Sequence, residues 1–555
     1  MPAKSPRRRE PAQLHDKYYL DSFNYLLRFV RRHYEHLLTE EETGFCTTYE
    51  SSSENAQQLY VRLALRAPAY LRLSKIHYPE IADIPAGLEE LCEAGLLSRL
   101  VNPAINICLP LYSQAEIKST GLTAPSSSED INRSAWTTPD LFGESPITRL
   151  LENDTILETH YKEHIVTLRL LFFGNLHQDF SSFVLRDLGL QRFESYIIDS
   201  ENVLFRSREQ LQAHLKYYQC AELYEEACEY GSEALNALYN DLPEKITEDQ
   251  SLSRRLDRLA NKIARQLERN SNLNDAARIY AQTSRPPARE RLARLEYKQG
   301  NPLGAFKICK KIVASPFDTD ELDFGKTFGL KASRKANLDT YPEWDNTDTY
   351  SPPVSNLTLT QTGLSVERTV ALHFARTGKC YYVENSLINS IFGLAFWDII
   401  YAQVKGVFFH PFQSAPTDFY EPAFLESREK LIEERLESIA NGSLRQVVLT
   451  HLYEKRGTTN HLIHWHLMRP DFVHFVLSRV PMADWYYLFK HFLTDIRNFK
   501  AGQPDLVYFP DTGGYQLLEV KAPGDRLQKN QLRWMTFFDQ KNIQHRVIHV
   551  EWDNA

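Results

Sequence analysis

Residues 502–534, GQPDLVYFPDTGGYQLLEVKAPGDRLQKNQLRW, restrict this chain more than any other stretch, because their order suits one local architecture. Leu506, Val507, Tyr508 and Phe509 are strand formers. Pro510-Asp511-Thr512-Gly513-Gly514 is turn chemistry, and Tyr515 to Val520 returns to strand. Two short strands are therefore expected to meet antiparallel. A helix is expected to begin near Asp525, a suitable N-cap, with Gln528 completing a capping-box-like pair. Gln531 then falls about two turns in, on the side that faces the strands, as a supporting residue. Arg546 to Glu551 closes the unit as a further strand.

Side chains alternate along a strand, so Glu519 and Lys521 share a face, while Val520 points away and leaves its carbonyl near the carboxylates. Asp505, at the head of the partner strand, reaches the same spot. Two carboxylates and a backbone carbonyl are hard oxygen ligands of the kind magnesium or manganese takes. Lys521 beside them is a point charge able to orient an attacking water or offset charge on a phosphate. An acid, a hairpin, Glu-Val-Lys and then a helix is the order found in metal-dependent nucleases. A lone Glu-x-Lys is more often a weak cross-strand ion pair on a surface hairpin. Here the Pro-Asp before the first strand, the hairpin length and the following helix all favour the metal reading.

With 555 residues, 43% hydrophobic and 25% charged, the chain is globular and too long for one core, so several domains are expected. Its net charge of −8 argues against wholesale electrostatic binding of nucleic acid, so any DNA contact uses local basic patches. The seven cysteines are scattered without C-x-x-C, which suggests neither zinc ribbon nor disulfide framework and fits a reducing cytoplasm. The N-terminal MPAKSPRRREPAQL is basic, lacks an apolar signal core and reads as a disordered tail. The most apolar run, Ile388 to Phe412, is interrupted by Asp398, Gln403 and Lys405, so no membrane span is expected.

Four regions follow. Residues 1–100 read as a helical, winged-helix-like domain: helices over Lys17 to Leu38 and Asn55 to Arg66, a short β piece after Leu71, and a helix from Gly87 to Gly95. Arg62, Arg66 and Lys75 are its candidate phosphate donors. Residues 101–206 read as a Ser/Thr/Pro-rich linker followed by helices at His160 to Leu176 and Phe180 to Gly189, and a strand or hairpin at Tyr196 to Phe205. Residues 207–364 are helical to about Ala314, and LERNSNLNDAARIY from Leu267 aligns with LEYKQGNPLGAFKI from Leu295, Ala277 matching Ala305, as in a degenerate tetratricopeptide-like array. Arg254, Arg258, Lys262, Arg265 and Arg269 form a basic stripe there, readable as a solvated face or as a phosphate rail. Pro316 to Val354 reads as an irregular linker carrying a second basic cluster that includes Lys326, Lys331, Arg334 and Lys335. Residues 365–555 form the last domain. Within it, Glu384 heads an apolar helix and is either a helix-end charge or a carboxylate that needs a partner such as a metal. Asp398 is a candidate structural hydrogen-bond acceptor, and His461, His464 and His466 lack the pattern of a metal site and read as packed or surface histidines.

GQPD, LLEVKAPGDRLQKNQLRW, VENSLINSIFGLAFWDIIY, LFKHFLTDIRNF and YVRLALRAPAYLRLSKIHYPEI, in that set of positions from Tyr18 to Trp552, resemble the Fanconi-associated nuclease family. The C-terminal blocks are similar to the VRR-NUC branch of the PD-(D/E)xK superfamily. The resemblance implies a multidomain α+β chain: an N-terminal domain, a SAP-type DNA-binding region in residues 101–206, a tetratricopeptide-like helical region, and a restriction-endonuclease-like α/β nuclease domain at the end. It implies Glu384, Asp505, Glu519 and the Val520 carbonyl as ligands of one or two Mg2+ or Mn2+ ions, and Lys521 as catalytic lysine. It further implies 5′-flap endonuclease and 5′ to 3′ exonuclease activity in interstrand crosslink repair. The expected partner is branched or 5′-flap DNA, bound by a monomer or a DNA-induced dimer in a bacterial cytoplasm at the nucleoid. A Holliday-junction-resolvase-like enzyme and a non-catalytic junction scaffold are the competing readings.

Overall fold

The computed structural model describes residues 15–66, 69–101, 103–120, 136–137, 145–151, 154–199, 201–338, 341, 344 and 350–553. The chain divides into two compact units, residues 1–190 with 203–211, and residues 191–202 with 212–555.

In the first unit, helices Tyr18–Tyr34, Glu40–Ser51 and Glu54–Ala64 bury Phe23, Leu26, Val30, Tyr49 and Tyr60. Thr39 and Glu42 form a capping box at the second helix, and Ser53 caps the third. Strands β1 (Tyr70–Arg72), β2 (Leu97–Arg99) and β3 (Ile156–Thr159) pair antiparallel in the order β1-β3-β2. Helix Ile84–Glu93 precedes β2, Gly95 taking φ +73 just beyond its end. The central strand comes from far downstream, which local periodicity could not reveal. The N-terminal tail lies outside the described residues, and so do residues 121–135 and 138–144 of the stretch read as linker, but its first part forms helices Ile105–Cys108 and Gln114–Ser119, with Cys108, Leu109 and Ile117 buried. Beyond it, helices Lys162–Phe173 and Ser181–Asp187 form where helices were expected. The segment expected to be a strand at Tyr196 to Phe205 forms none among its described residues. Instead, in the second unit, the Tyr196 hydroxyl donates to the His410 carbonyl at 2.6 Å.

The second unit begins with helices, among them Gln250–Arg269, Leu273–Gln282, Ala288–Lys298 and Pro302–Ala314. The repeat is present, but its register is 29 residues rather than 28: helix starts Leu273 and Pro302 correspond, and so do the preceding positive-φ residues Ser271 and Gly300. The small residue matching Ala305 is therefore Ala276, both fully buried, and not Ala277. The expected linker after Pro316 instead holds a 17-residue helix, Thr319–Lys335. Within it Gly325 and Gly329 are close-packing positions: a Cβ would meet Ile312 Cγ2 at 2.7 Å on Gly325, and Trp344 Cζ3 at 2.7 Å on Gly329.

The C-terminal sheet contains β4 (Val354–Leu359), β5 (Gly378–Tyr382), β6 (Leu506–Pro510), β7 (Gln516–Lys521) and β8 (His545–Trp552), in the order β4-β8-β7-β6-β5. β4 starts ahead of residue 365, so the sheet draws its edge from the segment read as linker. The β6–β7 hairpin is antiparallel with Leu506 opposite Leu518, and β7 runs parallel to β8. One face packs Leu506, Tyr508, Leu518 and Val520 against helix Val366–Phe374. The other packs Val507, Phe509 and Leu517 into a large core with helices Leu387–Ala395, Met482–Thr494 and Lys529–Gln540. The last helix begins at Lys529 and not near Asp525: its N-cap is Gln528, in a capping box with Gln531, whereas Asp525 accepts a turn bond from the Ala522 amide at 3.3 Å. No helix among the described residues is long and apolar enough to cross a membrane.

Candidate functional site

Continuing the hairpin register by one residue sets Asp505 opposite Glu519. Asp505 Oδ2 accepts the Val520 amide at 2.8 Å, so the carboxylate is fixed across the end of the hairpin. Glu519 is fully buried, and its Oε1 receives Lys521 Nζ at 2.9 Å and Gln531 Nε2 at 2.5 Å. Gln531 Oε1 in turn accepts Lys521 Nζ at 2.9 Å, closing a triangle between β7 and the following helix. The capping-box position makes this contact possible, because Gln531 stands in the helix's first turn and not two turns in.

The third arm comes from β5. Its pairing with β6 continues one residue, the Val383 amide donating to the Asp505 carbonyl at 2.8 Å, which brings Glu384 to the same end of the sheet. Asn385, at φ +49, turns the chain into helix Leu387–Ala395. The Gln503 amide donates to Asn385 Oδ1 at 3.0 Å, and Gln503 Nε2 to Asn389 Oδ1 at 2.7 Å. Glu384 thus precedes the helix and does not cap it; its carboxylate is exposed and accepts the Tyr382 hydroxyl.

Burial raises the carboxyl pKa of Asp505 above the ordinary range, against the Val520 N–H that favours its anion, and the charge of Glu384 pushes the same way. Glu519 is raised first by burial and then by Asp505, with Lys521 opposing. Glu367, half-buried in the first turn of helix Val366–Phe374, adds a further like charge acting on Asp505. Nothing in the sequence reading pointed to it, and Gln503 entered there only as part of the GQPD block, with no role given to it. The only available signal was a carboxylate on an amphipathic helix one element before β5. Glu519 Oε2 is buried with no hydrogen-bond partner among the described residues, an open acceptor on an anion that a cation would satisfy. Among those residues no three His, Cys, Asp or Glu side chains are gathered at metal-binding spacing, and Glu384 is bonded to Tyr382. The donor set of Asp505, Glu519 and the Val520 carbonyl still fits a hard divalent ion.

The other expected residues scatter. Arg254 leaves the stripe: its Nη1 donates to the Thr417 carbonyl at 3.0 Å and lies 3.8 Å from Glu421. Arg265 pairs with Glu268 at 3.0 Å, and Arg269 contacts Gln266 at 3.4 Å. Arg258 and Lys262 are exposed and form no ion pair among the described residues. Lys326 and Lys331 share helix Thr319–Lys335, Lys331 lying 5.2 Å from the Tyr297 ring centre. In the first unit, Arg62 pairs with Glu80 and lies over the Tyr19 ring at 3.8 Å, which engages an expected phosphate donor internally. Asp398 accepts Arg435 at 2.7 Å, and His461 contacts Ser414 at 3.0 Å.

Comparison with known proteins extends this geometry. Residues 439–552 match the VRR-NUC domain, and residues 17–98 match the FAN1 HTH domain. A Fanconi-associated nuclease 1 homolog of Pseudomonas aeruginosa is 30% identical over 569 residues, covering 100% of this chain and 98% of that protein. The Arabidopsis thaliana homolog is 26% identical, covering 95% of this chain and 66% of its own length, and human Fanconi-associated nuclease 1 is 24% identical, covering 96% and 62%. The crystal structure of paFAN1 bound to 2-nucleotide 5′-flap DNA with gap is similar at a TM-score of 0.86 and 29% identity, covering 98% of this chain and 100% of that one. With identity extending over both chains, this chain belongs to the Fanconi-associated nuclease family.

Proposed function

We propose that the chain is a divalent-metal-dependent, structure-selective DNA nuclease that cuts near 5′ flaps and degrades 5′ to 3′, acting in interstrand crosslink repair at the bacterial nucleoid. The observation that carries this reading is the buried Asp505–Glu519–Lys521 cluster with an open carboxylate oxygen at Glu519 Oε2. The flap substrate is supported by the 5′-flap DNA in the paFAN1 crystal structure.

Asp505, Glu519, Glu384 and the Val520 carbonyl would hold one or two Mg2+ or Mn2+ ions. Such an ion supplies Lewis acidity, lowering the pKa of a bound water and neutralising phosphate charge. The Asp505 bond to the Val520 amide holds the end of β7 and keeps the two carboxylates opposed. Of the three Lys521 ammonium donors, Glu519 and Gln531 engage two, and the third is left to orient an attacking water or a phosphate oxygen. The aromatic core beneath the sheet, including Phe509 and Trp534, excludes water from one side of the cluster and strengthens each charge within it.

A labelled 5′-flap duplex with magnesium tests the reading. Wild type should cut near the flap and Asp505→Ala should not, and chelation should abolish cutting. Equally intact DNA with both proteins would return the chain to a junction scaffold. Symmetric cuts in a four-way junction with weak flap preference would make it a resolvase.

A further inference from the structure

Helix Thr319–Lys335, in a stretch that reads as linker, contacts two segments that flank the Asp505–Glu519 end of the sheet. Arg533, two residues beyond Gln531, donates Nε to Asp323 Oδ2 at 3.0 Å and Nη2 to Asp320 Oδ1 at 2.7 Å, with its side chain largely buried. Lys529, in the same turn as Gln531, lies 3.0 Å from Asp323. On the second side, Asp495 Oδ2 accepts both the amide and the hydroxyl of Thr319 at 2.9 and 2.8 Å, while its Oδ1 caps helix Ile496–Phe499. That short helix runs directly into Gly502-Gln503-Pro504-Asp505. The two braced segments also touch each other. Gly502, at φ +77, lies so close to Asn530 that a Cβ would meet Asn530 Cγ at 2.7 Å, and Trp534 Nε1 donates to the Ala501 carbonyl at 3.2 Å.

We propose that Arg533 and Asp495 are positioning residues: by binding Asp320, Asp323 and Thr319, they make the N-terminal end of helix Thr319–Lys335 a brace that sets the Gln531 side chain and the Asp505 strand at their working separation. Sheet pairing fixes Asp505 against Glu519 but leaves the following helix able to slide or tilt. The triangle of Gln531, Lys521 and Glu519 closes only at one placement of that helix. The carboxylate of Asp320 stands in the first turn of its own helix, where the dipole favours negative charge, and Asp323 follows in the next turn with both Arg533 and Lys529 beside it, so the two are stable anchors for a cation from a neighbouring element. The helical region thereby bears on the rate of the chemical step, beyond any contact with DNA.

This inference rests on the nuclease reading, and the experiment separates the two. Single-turnover cleavage of a 5′-flap duplex, equilibrium DNA affinity and thermal melting are measured for wild type, Asp505→Ala, Arg533→Met and the reciprocal pair Asp323→Arg/Arg533→Asp. A displacement of order 1 Å at a reacting group costs about 100-fold in rate, so loss of the brace should cost about 10-fold or more. Arg533→Met is expected to lose that rate with DNA affinity and melting near wild type, and the reciprocal pair to recover at least half of it on a logarithmic scale. Wild-type cleavage by Arg533→Met while Asp505→Ala is inactive overturns the brace and leaves the nuclease reading standing. So does a loss confined to affinity, an unfolded Arg533→Met protein, or a reciprocal pair no faster than the single variant. Full activity of Asp505→Ala overturns the nuclease reading itself.

Discussion

Gln531→Met removes the side-chain bonds that join helix Lys529–Gln540 to β7 while keeping the side chain's length. Three bonds are lost: Oε1 to Lys521 Nζ at 2.9 Å, Oε1 to the Gln528 amide at 2.9 Å, and Nε2 to Glu519 at 2.5 Å. Half of a capping box is worth about 1 kcal/mol. The bonds to Lys521 and Glu519 involve charges and are individually worth about 1.5–3 kcal/mol, but those two groups remain paired with each other at 2.9 Å. The net cost to folding is therefore about 1–2 kcal/mol. The cost to chemistry is larger, because Lys521 keeps one of two anchors, and a misplaced reacting group costs on the order of 100-fold. Gln531→Glu is the matched control: it still accepts from Lys521 and the Gln528 amide but faces the buried Glu519 with a second carboxylate. It should keep the cap and still cleave slowly. Single-turnover cleavage of a saturating 5′-flap duplex, with urea unfolding alongside, measures both quantities. A folded Gln531→Met protein that binds DNA normally and cuts within about twofold of wild type would refute the reasoning.

Two further substitutions probe other parts of the second unit. His491 lies stacked 3.9 Å from the Phe537 ring with Nε2 buried and without a hydrogen-bond partner among the described residues, and burial holds its pKa down at about 4, below the ordinary value of about 6.5. A depressed folded pKa contributes stability that is present above about 6.5 and lost as pH falls toward 4, so wild type loses about 2 kcal/mol from this group by pH 5. His491→Phe cannot lose it: amide protection in Met482–Thr494 should fall about 20-fold less than in wild type between pH 7 and 5, and equal losses would exclude His491 as the cause. Arg258→Glu with Lys262→Glu removes two exposed stripe cations that form no ion pair among the described residues. DNA affinity should fall and the slope of log affinity against log salt should flatten by about 2, whereas an unchanged salt series would make them a solvated helix face.

The hairpin was legible in the sequence because everything that specifies it is local: strand formers, a five-residue turn, and two charged residues on one face. The same locality explains the errors. Asp525 is a good N-cap by composition, but Gln528 holds that place, because only a helix starting there sets Gln531 against Lys521 and Glu519. The Glu384 turn is held by Gln503 bonding Asn385 and Asn389, more than a hundred residues away, and no periodicity carries such a link. Helix Thr319–Lys335 was hidden for another reason. Gly325 and Gly329 lower helix propensity in isolation, but they let Ile312 and Trp344 approach more closely than any side chain would permit, so tertiary packing overrides the local preference.

These errors share a physical cause that bears on the chemistry. The carboxylates at the site repel one another, and burial makes that repulsion stronger, so the hairpin alone would relax by splaying its strands or exposing Glu519. The elements that prevent this are the non-local ones: Val383 on Asp505, Gln503 on the Glu384 turn, Gln531 on Glu519, and the Asp320–Asp323 turn on Arg533. Each binds a neighbour of a carboxylate, or the carboxylate itself, from a separate part of the chain. A cluster assembled under that tension keeps an acceptor at Glu519 Oε2 unmet among the described residues, and in the proposed nuclease the repulsion that the surrounding fold restrains is what a bound cation would relieve.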